Sequence, residues 1–253
     1  TWLPNGEKHP TNTRKQALDI LEREPHNKPL FGIEQEFFVL DDNKKPIGFN
    51  KDIPQGQFYC SVGHGNSIGK KFLDLALERC LDAGVEVTGS NLEVCAGQME
   101  IQVCNYGIRA GDDNLMLKYI LERTGEEFGY VVSYDAKPVL GDWNGSGCHT
   151  NFSTESMRNQ EGYNVILDCM SKLESKHQEH IDLYGSDNHL RLTGEFETSD
   201  INTFSYGVAN RGASIRIPRD TEKNRCGYFE DRRPSSSADM YLVTAKIYET
   251  CCL

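Results

Sequence analysis

The 253-residue chain has an ordinary globular composition, with 38% hydrophobic and 26% charged residues, and its length suits one large domain or two small ones. A formal net charge of −11 argues against a nucleic-acid partner, because phosphate binding depends on clustered Lys and Arg. No apolar run approaches the length of a membrane span, and residues 1–15 show no signal-peptide pattern, so we expect no membrane partner.

Helical periodicity and strand alternation divide the chain into five helices and six strands. In chain order we predict helix 13–23, strand 31–40, helix 70–83, strands 86–94 and 99–104, helix 112–128, strand 148–154, helix 161–183, strands 213–218 and 227–232, and helix 238–253. Glycine-containing loops at 55–66, 141–147 and 185–198 separate them. The varied connections favour an α+β fold over a regular doubly wound sheet.

The nine cysteines have irregular spacing and include no CxxC pair. An odd count without a framework of spacings indicates reduced thiols in a cytoplasmic protein better than a disulfide scaffold. The sequence does not begin with Met, so we expect it to be part of a longer polypeptide.

Several predicted strands carry polar side chains on a single face, since residues two apart in a strand point the same way. These polar faces comprise Glu34 and Glu36; Gln98, Glu100 and Gln102; His149, Asn151 and Ser153; and Tyr228, Glu230 and Arg232; Glu93 ends the strand before Glu100. For any one strand, a solvated sheet face is the commoner explanation. Against that explanation, Lys is absent from these faces while Glu recurs.

Clustered carboxylates repel one another and require cations. Five glutamates and one histidine on neighbouring strands would suit two or three Mg²⁺ or Mn²⁺ ions. Ions of this kind often hold substrate phosphates, which indicates nucleotide chemistry. The sequence contains neither GxxxxGK[ST] nor GxGxxG, so it does not support a P-loop or Rossmann nucleotide site.

Arginines form a second signal in the segment 211–219, where Arg211, Arg216 and Arg219 flank Ile215 and Ile217. Guanidinium groups near a core need anions, and Arg191 and Arg232 could join them. Salt bridges to the many glutamates explain any single arginine equally well. Together, however, a carboxylate–metal face beside arginines is what phosphoryl transfer requires.

Six stretches of the chain resemble glutamine synthetases of the eukaryotic type: FGIEQEFFVL, GVEVTGSNLEVCAGQMEIQV, GDWNGSGCHTNFST, NHLRLTGEFET, FSYGVANRGASIRIPR and GYFEDRRPSSSAD. They follow the family's order and span nearly the whole sequence. The resemblance implies that residues 1–253 form the family's catalytic domain. Its fold would be α+β, with a curved, mostly antiparallel sheet that carries the active site and is flanked by helices.

The resemblance also implies the site residues. One metal would be held by Glu36, Glu93 and Glu100, and another by Glu34, His149 and Glu230. Glutamate would bind to Trp143, Asn144, Gly145, Arg191, Arg211 and Arg232. ATP would bind to Glu100, Gln102, Asn105, Asn151, Phe152, Ser153, Arg211, Arg216 and Tyr228.

In the implied reaction, the γ-carboxylate of glutamate attacks the γ-phosphate of ATP, and ammonia then displaces phosphate from γ-glutamyl phosphate. Arg211 and Arg216 would stabilise the transferring group, and Glu197 would accept a proton from the ammonia-derived nitrogen when its loop closes. Without the resemblance, Glu197 would be interpreted as a solvated loop residue. Phe196 departs from the histidine that many eukaryotic-type members carry, which could alter loop packing.

No segment resembles the family's N-terminal β-grasp domain, which we therefore expect to be absent from this sequence. The family also implies a homo-oligomer, a decamer of two pentameric rings when full length. Two alternatives are a related γ-glutamyl ligase that uses another amine and a non-catalytic structural homologue. The complete set of six ligands and the residue Glu197 argue against both.

Overall fold

An eight-stranded sheet lies at the centre of the computed structural model, which describes residues 2–253. The strands are β1 (Leu30–Leu40), β2 (Val87–Leu92), β3 (Gln98–Tyr106), β4 (Val131–Ser133), β5 (Cys148–Ser153), β6 (Tyr206–Val208), β7 (Ile215–Ile217) and β8 (Phe229–Asp231). Their spatial order is β2-β3-β1-β5-β8-β7-β6, and β4 pairs with the end of β1. Only the β6–β7 pair is parallel within the described residues, so the sheet is mostly antiparallel, as expected.

Helices flank this sheet and complete the α+β fold. They are α1 (Thr13–Leu21), α2 (Lys70–Asp82), α3 (Ile108–Phe128), α4 (Glu155–Arg158), α5 (Gly162–Ser175), α6 (His177–Ile181), α7 (Arg219–Asn224) and α8 (Met240–Cys252). Side-chain caps begin three of them: Asn12 accepts from Lys15 N, Thr154 from Met157 N and Asp239 from Tyr241 N. In the described residues, no helix has both the length and the apolar character that crossing a membrane requires.

The apolar face of the sheet is buried beneath these helices. Phe31, Ile33 and Phe37 of β1 are fully buried on the face opposite Glu34 and Glu36. Aromatic rings continue this layer across three strands: Phe31 lies 5.1 Å from the ring of Phe152, and Phe152 lies 5.5 Å from that of Phe229. This packing on the apolar face holds β1, β5 and β8 together, so the polar side chains on the opposite face keep a defined geometry.

One predicted helix is broken in the structure. The segment 161–183 forms α5 and α6, which meet at Lys176. The Ser175 hydroxyl donates to the carbonyl of Lys172 at 2.7 Å and so competes with the helical hydrogen-bond pattern. After the break, the His177 ring contacts Ile201 O and Arg233. The short elements β4, β6, α4 and α7 were not predicted, since three to six residues are too few to show a period.

Candidate functional site

The register of the sheet brings the predicted ligands side by side. The Cα of Glu36 pairs with that of Glu100, and the Cα of Glu34 pairs with that of His149. On the next strand, Glu230 pairs with Asn151, and Glu93 directly follows β2. Five of the six predicted ligands line one polar cavity of about 210 Å³. They are Glu34, Glu36, Glu93, Glu100 and His149, while Glu230 lies against His149 beside the cavity.

Three carboxylates surround one nitrogen of the His149 ring. Its Nδ1 lies 3.5 Å from Glu34 Oε2, 3.6 Å from Glu230 Oε1 and 3.9 Å from Glu36 Oε1. Two sets of side chains have ligand atoms close enough to share a cation: Glu34, His149 and Glu230 form one, and Glu36, Glu100 and His149 form the other. The first set is the predicted one. The second contains His149 where the sequence analysis expected Glu93, and Glu93 stands in the same cavity.

The carboxylates of this cluster have displaced pKa values. Burial, reinforced by neighbouring glutamates, raises the pKa of Glu93 to about 8 and that of Glu100 to about 9. Burial also raises the pKa of Glu36. For His149, burial and then the charge of Arg232 lower the pKa well below its usual value. A neutral imidazole among carboxylate oxygens is a donor set that fits a hard divalent cation. The positive charge of the cation would offset the repulsion between the carboxylates.

Backbone and amide groups orient the carboxylates. Glu36 Oε2 accepts from Gly147 N at 2.7 Å and from Gln98 Nε2 at 3.1 Å. Asn91 donates to Glu93 at 2.8 Å, and Asn151 donates to Glu34 at 2.7 Å. Support of this kind fixes the geometry of metal ligands and raises metal affinity.

The loop before His149 approaches these groups closely. A Cβ on Gly147 would lie 2.5 Å from Arg191 Nη2 and 2.9 Å from His149 Nε2, and a Cβ on Gly145 would lie 2.6 Å from the carbonyl of Ala136. Only glycine fits at either position. The glycines of the NGSGCH loop therefore allow its backbone to reach the carboxylate cluster.

Arginines balance part of the negative charge. Arg232 Nη1 donates to Glu230 Oε1 at 2.7 Å, and Arg216 forms an ion pair with the other oxygen of Glu230. Arg191 is buried, and burial lowers its pKa to about 10. Its Nη2 donates to His149 Nε2 at 3.1 Å, which leaves the ring proton on Nδ1. A cation at Nδ1 would require that proton to move to Nε2 and the contact with Arg191 to open.

The loop that carries Glu197 lies at the mouth of the cavity. Phe196 and Glu197 both have left-handed backbone angles, with φ of +53° and +62°, a conformation that costs energy in residues other than glycine. Glu197 Oε1 accepts from Arg211 Nη1 at 3.3 Å, and both side chains are about half exposed. Lys137 lies 4.7 Å above the ring of Phe196. An exposed ion pair of this kind contributes little stability.

A second cavity of about 440 Å³ opens at the other end of the carboxylate cluster, and it is more apolar. It contains five of the predicted nucleotide residues: Gln102, Asn151, Phe152, Ser153 and Tyr228. Glu34 and Gln102 line both cavities, so the carboxylate cluster lies between them. The remaining predicted nucleotide residues, apart from Asn105, line the first cavity: Glu100, Arg211 and Arg216.

Three predicted site residues lie outside these cavities: Glu230, which contacts His149 beside the first cavity, Asn105 and Trp143. Asn105 donates to Asp113 at 2.9 Å, and Trp143 packs on Phe49 with ring centroids 4.8 Å apart. The other predicted glutamate residues, Asn144, Gly145, Arg191, Arg211 and Arg232, all line the first cavity. The sequence analysis did not assign Tyr59 and Asn91, which also line it, and strand alternation could not have indicated Tyr59 because it lies in a loop.

Comparisons with known proteins show which family the chain resembles. A family profile described as "Glutamine synthetase, catalytic domain" matches residues 7–181. The chain is 48% identical over 255 residues to the glutamine synthetase of Neurospora crassa, covering 99% of this chain and 70% of that protein. It is 50% identical over 256 residues to glutamine synthetase cytosolic isozyme 1-1 of Oryza sativa subsp. japonica, covering 98% and 72%. Against the glutamine synthetase of Hordeum vulgare it is 50% identical over 259 residues, covering 100% and 73%.

Proposed function

We propose roles for individual residues from the premise that this chain belongs to the glutamine synthetase family. The chain is a glutamate–ammonia ligase: it couples ATP cleavage to formation of the amide of glutamine, with a divalent metal. The observation that carries this conclusion is the identity of about half of all residues to glutamine synthetases over the whole chain. The buried carboxylate–histidine cluster supplies the chemical reason.

Two or three Mg²⁺ or Mn²⁺ ions would occupy the carboxylate cluster. Glu34, His149 and Glu230 would hold one ion, and Glu36, Glu93 and Glu100 another, with His149 Nδ1 near both sets. When bound, the ions neutralise phosphate oxygens and align the two reactants. Support for these assignments comes from the donor chemistry and from the raised pKa values of Glu93 and Glu100.

Each cavity would receive one large substrate. The second, more apolar cavity suits the adenosine part of ATP, whose phosphates would extend past Glu34 and Gln102 towards the carboxylate cluster. Glutamate would occupy the first cavity, with its α-carboxylate near Asn144, Gly145 and Arg191, the end remote from the second cavity. Its γ-carboxylate would then point towards the phosphates.

The γ-carboxylate oxygen attacks the γ-phosphorus of ATP, the bond to the bridging oxygen breaks, and ADP leaves. Arg211 and Arg216, which line the first cavity, would stabilise the charge of the transferring phosphoryl group. Ammonia then attacks the acyl carbon of γ-glutamyl phosphate, and inorganic phosphate leaves with the electron pair of the C–O bond.

Glu197 would accept the proton that the attacking nitrogen loses. The Glu197 carboxylate lies at the mouth of the cavity, in a strained, half-exposed loop, and contacts Arg211. Closure of this loop would bring the carboxylate over the acyl carbon of γ-glutamyl phosphate. Closure would also keep water away from the acyl phosphate.

The assembly and location are further proposals. Exposed apolar side chains on α3, namely Leu115, Met116 and Tyr119, are suited to contacts between subunits of a homo-oligomer, for which we propose a decamer of two pentameric rings. The name of the rice relative, a cytosolic isozyme, supports a cytoplasmic location, in agreement with nine free thiols.

The function is tested by measuring glutamine formation from glutamate, ATP and ammonium with Mg²⁺ or Mn²⁺, beside hydroxamate formation with hydroxylamine. We expect Glu197→Ala to lower the ammonia reaction by about 10²–10⁴-fold, the usual contribution of a general base. The hydroxylamine reaction should fall less, because hydroxylamine is already neutral at pH 7, whereas ammonium must lose a proton before its nitrogen can attack. Glu195→Ala, in the same exposed loop, is the matched control and should retain wild-type rates.

Two results would contradict the proposed function. A wild-type protein that binds ATP and forms no product would be a non-catalytic homologue. A protein that forms a γ-glutamyl amide only with a larger amine would be a related ligase.

A further inference from the structure

The side chain of Gln55 forms two hydrogen bonds with one residue of the glutamate cavity. Its Oε1 accepts from the backbone N of Asn144 at 2.8 Å, and its Nε2 donates to Asn144 Oδ1 at 2.9 Å. Gln55 is half-buried, whereas its neighbours Pro54 and Gly56 are exposed. The loop therefore directs this side chain inwards, onto a residue 89 positions away.

These two bonds determine the orientation of both amides. A backbone N–H can only donate, so the Gln55 atom that it contacts must be the carbonyl oxygen. The other end of Gln55 is then the NH₂ group, and the Asn144 atom that receives its hydrogen must be Oδ1. The Asn144 NH₂ group is left as the part of that side chain that can face the cavity.

The backbone holds this loop in place. Gly56 N donates to Val94 O, and Cys60 N donates to Leu92 O, each at 2.9 Å. These bonds attach the loop to the end of β2, immediately beside Glu93. Gln55 therefore connects the segment that carries a proposed metal ligand to the segment that binds glutamate.

We infer that Gln55 is a positioning residue: it holds the Asn144 carboxamide with its NH₂ group towards the α-carboxylate of glutamate, and so contributes to selection of an α-amino acid. Arg191, which is packed against Gly145 and Gly147, supplies the cationic partner for the same carboxylate. This inference rests on the proposed placement of glutamate in the first cavity. Gln55 itself does not touch the reacting atoms.

The test compares Gln55→Glu, Gln55→Leu and Gln57→Glu in the full-length protein. Gln55→Glu keeps the acceptor for Asn144 N but replaces the NH₂ donor with oxygen, so the Asn144 amide must turn and present Oδ1 to the substrate carboxylate. Gln55→Leu removes both bonds without reversing the amide. Gln57 is exposed, and its side chain donates to Pro54 O at 3.4 Å, so Gln57→Glu controls for the added charge.

We expect Gln55→Glu to raise the KM for glutamate by about 10–100-fold, as for loss of a supporting hydrogen bond at a binding residue. Gln55→Leu should raise it less, by about threefold to tenfold, because a neutral amide can still adopt the productive orientation. The KM for ATP and the melting temperature should be unchanged in both. Inhibition by 4-aminobutyrate, which lacks the α-carboxylate, should also be the same as in wild type.

An unchanged KM for glutamate in Gln55→Glu would overturn the inference. An equal rise of this KM in Gln57→Glu would also overturn it, and so would a larger rise in Gln55→Leu than in Gln55→Glu. A loss of 4-aminobutyrate affinity as large as the loss of glutamate affinity would overturn it as well. Calorimetric titration of L-glutamate into the protein with ADP and Mg²⁺ repeats the comparison without turnover. If wild type makes no glutamine, the proposed function fails, while the titration still decides the role of Gln55.

Discussion

Two carboxylates that are neighbours on β8, Glu230 and Asp231, belong to two different buried charged regions. In one region the protein neutralises the buried charge itself, and in the other it does not. Asp231 belongs to a network behind the sheet, where Arg233 donates to both of its oxygens at 2.9 and 2.7 Å. Tyr184 also donates to Asp231 at 2.7 Å, and His180 contacts the Tyr184 hydroxyl and Thr250. Burial alone would raise the pKa of Asp231, but Arg233 outweighs it and the pKa is lowered.

Glu230, on the opposite face, belongs to the carboxylate cluster of the cavity. Five glutamates there share a neutral histidine and a few arginines, and the pKa values of Glu93 and Glu100 rise to about 8 and about 9. Glu100 is buried, as Asp231 is, so burial alone does not explain the difference between their pKa values. The protein neutralises the charge of Asp231 with its own Arg233, whereas the carboxylate cluster needs cations from solution.

This difference separates structural from functional buried charge. A carboxylate whose partners all come from the chain holds elements together, and here Asp231 links β8 to the segment after α6. In a carboxylate cluster, mutual repulsion destabilises the folded protein, and a bound cation offsets this repulsion. Substitutions in the two regions should therefore have opposite effects.

The largest expected effect is loss of activity in the cavity. Glu100→Gln should lower glutamine formation by at least about 10²–10³-fold, because it removes a metal ligand and its charge. The melting temperature of the metal-free protein should be unchanged or higher, since Glu100 repels Glu34, Glu36 and Glu93. Glu174→Gln, on an exposed position of α5, is the matched control. A lower melting temperature of the metal-free Glu100→Gln protein would contradict the distinction between the two regions.

The next effect concerns the network behind the sheet. Arg233→Met should lower the free energy of unfolding by about 3–5 kcal/mol, because it leaves Asp231 buried without a cation. Urea denaturation measures this change, and divalent metal affinity should stay within threefold of wild type. The double variant that also carries Asp231→Leu should be more stable than Arg233→Met alone. Equal stability of the single and double variants would show that the ion pair is not the cause.

A third expected effect is a pH dependence of stability. The folded pKa values of Glu93 and Glu100, about 8 and about 9, exceed the ordinary value of 4.5. The folded state therefore binds more protons than the unfolded chain between these limits, and the metal-free protein loses stability as pH rises from 4.5 to 9. Melting scans across this range should show the decline, and Glu93→Gln should reduce its slope. A saturating divalent cation should abolish or reverse it.

The main strands and their polar faces were predictable, because alternation of side chains is a local property. Glu34 and Glu36 share a face in the structure, and the predicted set Glu34, His149 and Glu230 lies within cation-sharing distance. Helix ends were predicted less well where a long-range contact decides them. The break at Lys176 coincides with the approach of His177 to Ile201 and Arg233, neither of which is near in sequence.

By itself the sequence indicated the α+β class, the family and the polar carboxylate–histidine face, since these depend on local motifs and strand periodicity. Only the tertiary structure decided which groups support that site. The contact of Gln55 with Asn144 spans 89 residues, and that of Arg191 with His149 spans 42. No local pattern encodes such pairs, because the loops that carry them are brought together only when the strands pair. Strand alternation separates the faces of Glu230 and Asp231, but only the tertiary structure decided which groups meet each carboxylate.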